Sequence, residues 1–325
     1  MRIRALTIAV LLATVSLALV ASACGSDDGA DVRAVGSGAA ASGSGSGAGS
    51  GSGLSGSELA TIGTDDPLVQ SAVAQYSAYV SDRTDELIRR TRVFTDAVRA
   101  GDLAAARAAF AESRAPWEAI EPIAGLVPDI DTAVDARVDD FSGPADPAWT
   151  GWHRLEYLLW EKDTTAGGTT LADRLDSDLA SLKRGLRTLE IPPAAVARGA
   201  AELIQEVSQG KITGEEDRYS KTDLWDFQAN VDGAKQVITT LTPALEAADP
   251  ALLADIRQGF TDLQAELDTL RKGDGFVLYC RQDDPFPSDL CTSTTVTPRT
   301  VDRLKVLLAG LSEDLALVPG ALGLS

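Results

Sequence analysis

The chain has 325 residues, 48 acidic against 29 basic, and a formal net charge of −19. That balance excludes a surface built to hold nucleic-acid phosphates, which needs Lys and Arg to neutralise them, and leaves a cation-binding surface open. The single histidine excludes a three-His metal centre and the HExxH site of zinc proteases, and three cysteines are too few for a disulfide scaffold or a cysteine-based zinc module.

The first 24 residues read as an export signal. Arg2 and Arg4 supply the positive start, and residues 5–20 form an apolar run broken only by the hydroxyls of Thr7, Thr14 and Ser16. As a helix that run spans roughly 24 Å, short of a ~30 Å hydrocarbon core, so it is not a membrane span. It ends in Ala21-Ser22-Ala23-Cys24, which resembles a bacterial lipobox, with Ala21 where Leu is usual. Cys24 is therefore expected to carry lipid, ordinary secretion being the alternative. Residues 25–65 follow as a Gly/Ser-rich flexible tether, reaching ~35 Å on average. Such a tether makes sense if its first residue is held at a membrane.

From about residue 64 the sequence is rich in Ala, Leu, Arg and Glu and poor in β-branched alternation, which predicts helices. They are expected near 67–99, 102–124, 131–141, 147–160, 170–189, 192–208, 222–247, 251–272 and 299–316. Asp249-Pro250 and Thr297-Pro298 each place an N-cap before a first-turn proline, and Thr170 with Asp173 reads as a box-like start. Short connections imply antiparallel neighbours. The expected fold is all-α, a set of packed antiparallel bundles over residues 66–325. No strand–Gly-rich–helix unit is present, so a nucleotide-binding fold is not expected.

Two motifs bear the chemistry. Glu118 and Glu121 in WEAIE are three apart and would share a helix face, as would His153 and Glu156 in GWHRLE. Pairs of this kind on facing helices build metal sites in bundle cores. Asp129, Asp131, Asp135, Asp139 and Asp140 lie between them as further oxygen donors. The bland alternative is a wet acidic face, or a structural histidine, with Arg114, Arg137, Arg154 and Arg218 neutralising the acids. The apolar company of His153, from Trp149 to Trp160, argues against a random wet surface. A third segment, GEEDRYS before TDLWDFQAN, reads by pattern as an exposed acidic turn at a helix start. Cys280 and Cys291 are expected to pair in an oxidising compartment, stabilising by roughly 2–4 kcal/mol.

KITGEEDRYSKTDLWDFQANVDGAKQVI, GWHRLEYLLW, WEAIEPIAGLVPDIDTAVDARVDDF and the terminal PGALGL together resemble the EfeO/EfeM family of imelysin-like iron-uptake proteins. The resemblance covers about residue 66 to the C-terminus. It implies an imelysin-like helical fold, capture of iron, ferric or ferrous, and delivery to an EfeU-type permease beside an EfeB-type haem peroxidase. Carried over residue by residue, it implies metal ligation by His153, Glu156, Glu118, Glu121, Asp135 and Glu216, with Glu215 as a substitute for Glu216. Lys221 receives no ligand role. With tether in place of a cupredoxin-like domain, the chain resembles the short EfeM form, and the Cys280–Cys291 loop looks like a lineage-specific insertion.

The expected function is thus a lipid-anchored cation-binding protein on the extracytoplasmic face of the cell membrane, and not an enzyme. A mixed carboxylate and imidazole shell also suits zinc or copper. A metallopeptidase and an anchored interaction protein without metal are the alternatives.

Overall fold

A computed structural model describes residues 64–324; the export signal, Cys24 and nearly all of the tether lie outside them. The first helix, α1 (Pro67–Ala100), starts where the Asp66 side chain accepts the Leu68 N–H and Pro67 fills the first turn. It ends at Gly101, whose φ of 76° is the left-handed cap that glycine adopts without strain. α2 (Leu103–Glu118) returns antiparallel along it.

The helix expected over 102–124 stops at Glu118, and Glu121–Leu126 continues as a 3₁₀ turn with Pro122 in its first turn. Proline has no N–H to continue the α-helical ladder and clashes with the preceding turn. The expected 131–141 helix is instead α3 (Pro128–Asp135) with a short 3₁₀ turn over Val138–Asp140. The helix placed at 147–160 is α4 (Gly151–Glu156), which widens into a π-helical turn over Tyr157–Glu161.

α5 (Gly168–Gly185) begins two residues before Thr170, so the box-like start is not used. Gly167, left-handed at φ 83°, makes that turn instead. α6 (Pro193–Gln209), α7 (Asp223–Ala248), α8 (Pro250–Asp268) and α9 (Pro298–Ala321) complete the helical set. The Asp249 and Thr297 side chains accept the N–H groups of Leu252 and Thr300, as their positions before proline predict. The end of the 251–272 prediction is a two-residue hairpin, Arg271–Lys272 against Gly275–Phe276, turned at Gly273 with φ 60°.

α1 packs on α2 and α5, α6 on α7 and α9, and α8 on α9. α7 joins the two groups, touching α1, α2, α6 and α8, and its buried side chains dominate the middle of the core. Among the described residues no helix is long and apolar enough to cross a membrane. Cys280 and Cys291 are joined by a disulfide that closes the loop between α8 and α9.

A candidate metal centre

The centre forms where α2, α3, α4, α7 and the segment after α6 meet. The last turn of α2 aims Arg114, Trp117 and Glu118 inward, three and four residues apart on one face. Gly151 lets α4 approach α3: at φ 82° it is already left-handed, and a Cβ there would run into the Val134 backbone. That approach brings His153 next to Asp135. Gly233 does the same for α7, since a Cβ would strike the Ala119 carbonyl, and so Asn230 reaches Glu118 and Asp226 reaches Arg114.

His153 presents two different faces. Its Nε2 lies 3.6 Å from Asp135 Oδ1 and 3.4 Å from Glu216 Oε1. Its Nδ1 lies 3.2 Å from Glu156 Oε2 and 3.9 Å from Asp217 Oδ1. A cation bound ~2.1 Å from nitrogen and oxygen donors sets tetrahedral ligands ~3.4 Å apart, so the spacing on the Nε2 face fits. Glu156 is fixed by the Tyr219 and Ser220 backbone N–H groups, which donate to its Oε1 over 2.9 and 2.8 Å. The carboxylate thereby orients the imidazole from its far side, the arrangement that sets the tautomer of metal-binding histidines.

Protein cations fill much of the space between the acids. The buried Arg114 donates to Asp135 and Glu118, each over 2.5 Å, to Glu216 over 3.0 Å and to Asp226 over 3.5 Å. Its Nη1 also lies 3.0 Å from His153 Nε2. Lys211 holds Glu118 and Glu121, and Arg137 holds Glu216. Of the arginines weighed as neutralisers, Arg218 pairs with Asp139 outside the cluster, and Arg154 stacks on Trp149 and Tyr157 instead of an acid.

Burial and Arg114 both press the imidazole toward its neutral form, while hydrogen bonds with Glu156 and Glu216 raise it to about 9. The Arg114 contact, unlike those with Glu156 and Glu216, calls for the neutral ring. A guanidinium does not give up its proton, so a hydrogen bond 3.0 Å long requires a lone pair on Nε2. The ring proton then sits at Nδ1 and faces Glu156. Burial drives the acids the other way: Asp131 is raised to about 7, Asp217 to about 6, and Glu121, Asp223 and Asp226 well above their usual range. Glu216 goes against this trend. Burial would raise it, but Lys211 and Arg114 hold it well below.

A cleft of about 810 Å³ opens onto this cluster. Glu121, Asp135 and Glu216 line it, with Asp131, Glu202 and Glu206 farther out, whereas His153, Glu118 and Glu156 are buried behind. The GEEDRYS segment is not an exposed turn. Glu216, Asp217 and Ser220 are buried, as are Asp223 and Asp226 at the start of α7, because their oxygens face Arg114 and backbone donors inside the fold. Glu216 is 3 % exposed and in the cluster, while Glu215 is 30 % exposed and turned to Arg137. The pair in WEAIE is split between the end of α2 and the 3₁₀ turn, yet both carboxylates meet at Lys211.

Sequence reasoning missed Lys211, Asp217, Asp226 and Asn230. A signal for the last two was present: Asp223, Asp226 and Asn230 recur at helical spacing beside Leu224, Phe227 and Val231, a polar stripe on a face that packs inward. Four buried oxygens, Asp217 Oδ1, Asp223 Oδ2, Asp226 Oδ1 and Asn230 Oδ1, have no hydrogen-bond partner. Buried polar atoms left bare are costly, so this interior calls for ordered water, protons or a further cation.

Comparison with known proteins bears on what such a centre serves. The imelysin family, peptidase M75, matches residues 72–305. The chain belongs to the imelysin family. The iron uptake system component EfeO of Yersinia pseudotuberculosis serotype I (strain IP32953) is 42% identical over 272 residues, 83% of this chain and 69% of its own length. The component of the same name from Escherichia coli O157:H7 is 41% identical over 274 residues, with the same shares covered. That from Yersinia pestis is 42% identical over 272 residues. The buried His153 cluster lies wholly within the matched imelysin segment.

Proposed function

We propose that this imelysin-family chain is a component of an iron uptake system that captures an iron cation, ferric or ferrous, and passes it to a membrane permease. The observation that carries the reading is the His153 Nε2 face. There an imidazole and the carboxylates of Asp135 and Glu216 converge at metal-ligand spacing beside an acidic cleft. The names of the EfeO relatives supply the cargo. His153, Asp135 and Glu216 would bind the cation directly, and Glu118 and Glu121 would complete its shell. Glu156 would orient the ring through Nδ1. One imidazole among carboxylates is a hard to borderline donor set, which suits iron and also accepts zinc or copper.

Cys24 would be the lipid anchor, residues 25–65 the tether, and 66–325 the imelysin domain, held at the extracytoplasmic face of the membrane. An EfeU-type permease would receive the cation, and an EfeB-type haem peroxidase would act beside it. The family's peptidase name raises a second reading. A metallopeptidase needs a firmly held metal with an open position and a general base. Metal-dependent cleavage of casein, lost in Glu156→Ala, would favour it.

The deciding experiment is calorimetric titration with ferric, ferrous, zinc and copper ions, comparing wild type with His153→Ala. Binding that weakens tenfold or more in the variant is the expected result. Equal affinity of the two proteins for every ion would overturn the site, and absence of binding would overturn the function.

A further inference from the structure

Lys211 stands where Glu118 and Glu121 would otherwise receive a cation. Its Nζ lies 2.6 Å from Glu118 Oε2, 2.9 and 3.1 Å from the two oxygens of Glu121, and 3.9 Å from Glu216 Oε1. Asn230 Nδ2 steadies the same acceptors from α7, 2.9 Å from Glu118 Oε2 and 2.8 Å from Glu121 Oε2. One ammonium thus sits within 4 Å of three carboxylates in a buried, pre-shaped nest.

The two internal cations are held very differently. Arg114 projects from within α2, donates to four carboxylates, and packs its guanidinium between Phe110 and Trp152. Its stem cannot leave without dismantling the core; a cation on His153 Nε2 requires only that Nη1, which now donates to that nitrogen over 3.0 Å, turn aside. Lys211 comes from a single 3₁₀ turn, Lys211–Thr213, bracketed by Gly210 and the left-handed Gly214. Two of its partners, Glu121 and Glu216, line the cleft. Its flexible four-carbon side chain can swing there while every helix stays intact.

We propose that Lys211 is a tethered competitor of the cargo: its ammonium neutralises Glu118 and Glu121 in the metal-free protein and moves into the cleft when a cation on His153, Asp135 and Glu216 recruits those carboxylates. The inference rests on the cation-capture reading above. A covalently attached ammonium competes at a high effective concentration, so monovalent ions of equal charge do not displace it, whereas a divalent or trivalent ion does. Its return restores neutrality as the cargo leaves. Lys211 therefore tunes affinity and charge selectivity without being a ligand.

Zinc serves as a redox-inert probe on the full chain. Affinities of wild type, Lys211→Met and Lys211→Arg are measured by chelator competition. Lysine reactivity toward acetic anhydride is then mapped by peptide mass spectrometry on wild type, with and without saturating zinc. Lys211→Met is expected to bind about tenfold more tightly, Lys211→Arg more weakly, and Lys211 to become several-fold more reactive once zinc is bound. If wild type binds zinc while Lys211 stays protected at saturation, the inference fails and the capture reading stands; a folded Lys211→Met with unchanged or weaker affinity has the same meaning. If neither wild type nor Lys211→Met binds zinc, both fall. The labelling of wild type decides the matter even if a variant does not fold.

Discussion

Arg114→Met removes the fixed cation at the middle of the cluster while keeping much of the side-chain bulk. In the folded chain Asp135, Glu118, Glu216 and Asp226 lose their shared partner; Glu118 and Asp226 cannot turn to water, and Asp135 and Glu216 only border the cleft. Breaking one buried ion pair from one side costs about 3–5 kcal/mol, because a charge is left uncompensated. The acids are close enough to share protons, which caps the penalty instead of multiplying it by the number of partners. A loss of about 3–5 kcal/mol near pH 8 follows, equivalent to roughly 6–20 °C in melting temperature for a domain of this size. At pH 5 proton uptake replaces the missing charge, and the difference from wild type should shrink by half or more. The assay is thermal unfolding followed by circular dichroism at both pH values, in the absence of metal and with chelator. Saturating zinc should recover part of the loss at pH 8, since anything that binds the native state alone stabilises it. A variant within 1 kcal/mol of wild type at pH 8, or one equally destabilised at both pH values, would show that Arg114 does not balance these acids.

Two further predictions follow from the same electrostatics and from the loop that borders them. Asp131 and Asp217 are raised to about 7 and about 6, so the folded chain holds their protons more tightly than the unfolded one. Their stabilising contribution is fully present below the ordinary carboxylate range and is lost as pH rises through 6–7, so the metal-free protein should melt at a higher temperature at pH 5 than at pH 8. Glu216 is shifted down, and its opposing contribution is lost only below the ordinary carboxylate range; a melting temperature that is flat or rising between pH 5 and 8 would contradict the raised acids. Cys280→Ser with Cys291→Ser should cost about 2–4 kcal/mol in a denaturant titration. It should also weaken zinc binding several-fold, because Lys221 in the Glu216 segment is tied to Asp284 inside that loop over 2.7 Å and Arg218 lies over Phe286. Unchanged zinc affinity would detach the loop from the site.

Helix positions were legible because composition and periodicity are local properties. α1, α6 and α7 fall within a residue or two of the expected spans, and the caps at Asp249 and Thr297 operate as their sequence context implies. The departures have local causes of another kind. Pro122 ends α2 early, and the π turn after Glu156 widens a helix whose sequence carries no sign of it. At the site, the residue types were readable from spacing and resemblance, but their electrostatic partners were not. Lys211 meets Glu118 across 93 positions, and Arg114 meets Glu216 across 102. Nothing periodic connects such residues; the close approaches allowed by Gly151 and Gly233 do.

A fold that buries this many acids can keep them neutral with protons, with a fixed cation, or with an exchangeable one, and only some of these acids border the cleft. Asp223 and Asp226 are fully buried, and burial raises both well above the ordinary carboxylate range, which favours proton uptake. Arg114 is a fixed cation, its stem held in α2 and its guanidinium beside Phe110 and Trp152. Glu121 and Glu216 face the cleft, where the partners are the movable side chains Lys211 and Arg137. Exchange of a cation away from the cleft would require opening the core, whereas beside the cleft it requires the motion of a few side chains. This division thus confines exchange to the cleft side of His153, while Glu156 on the closed side keeps the imidazole aimed at it.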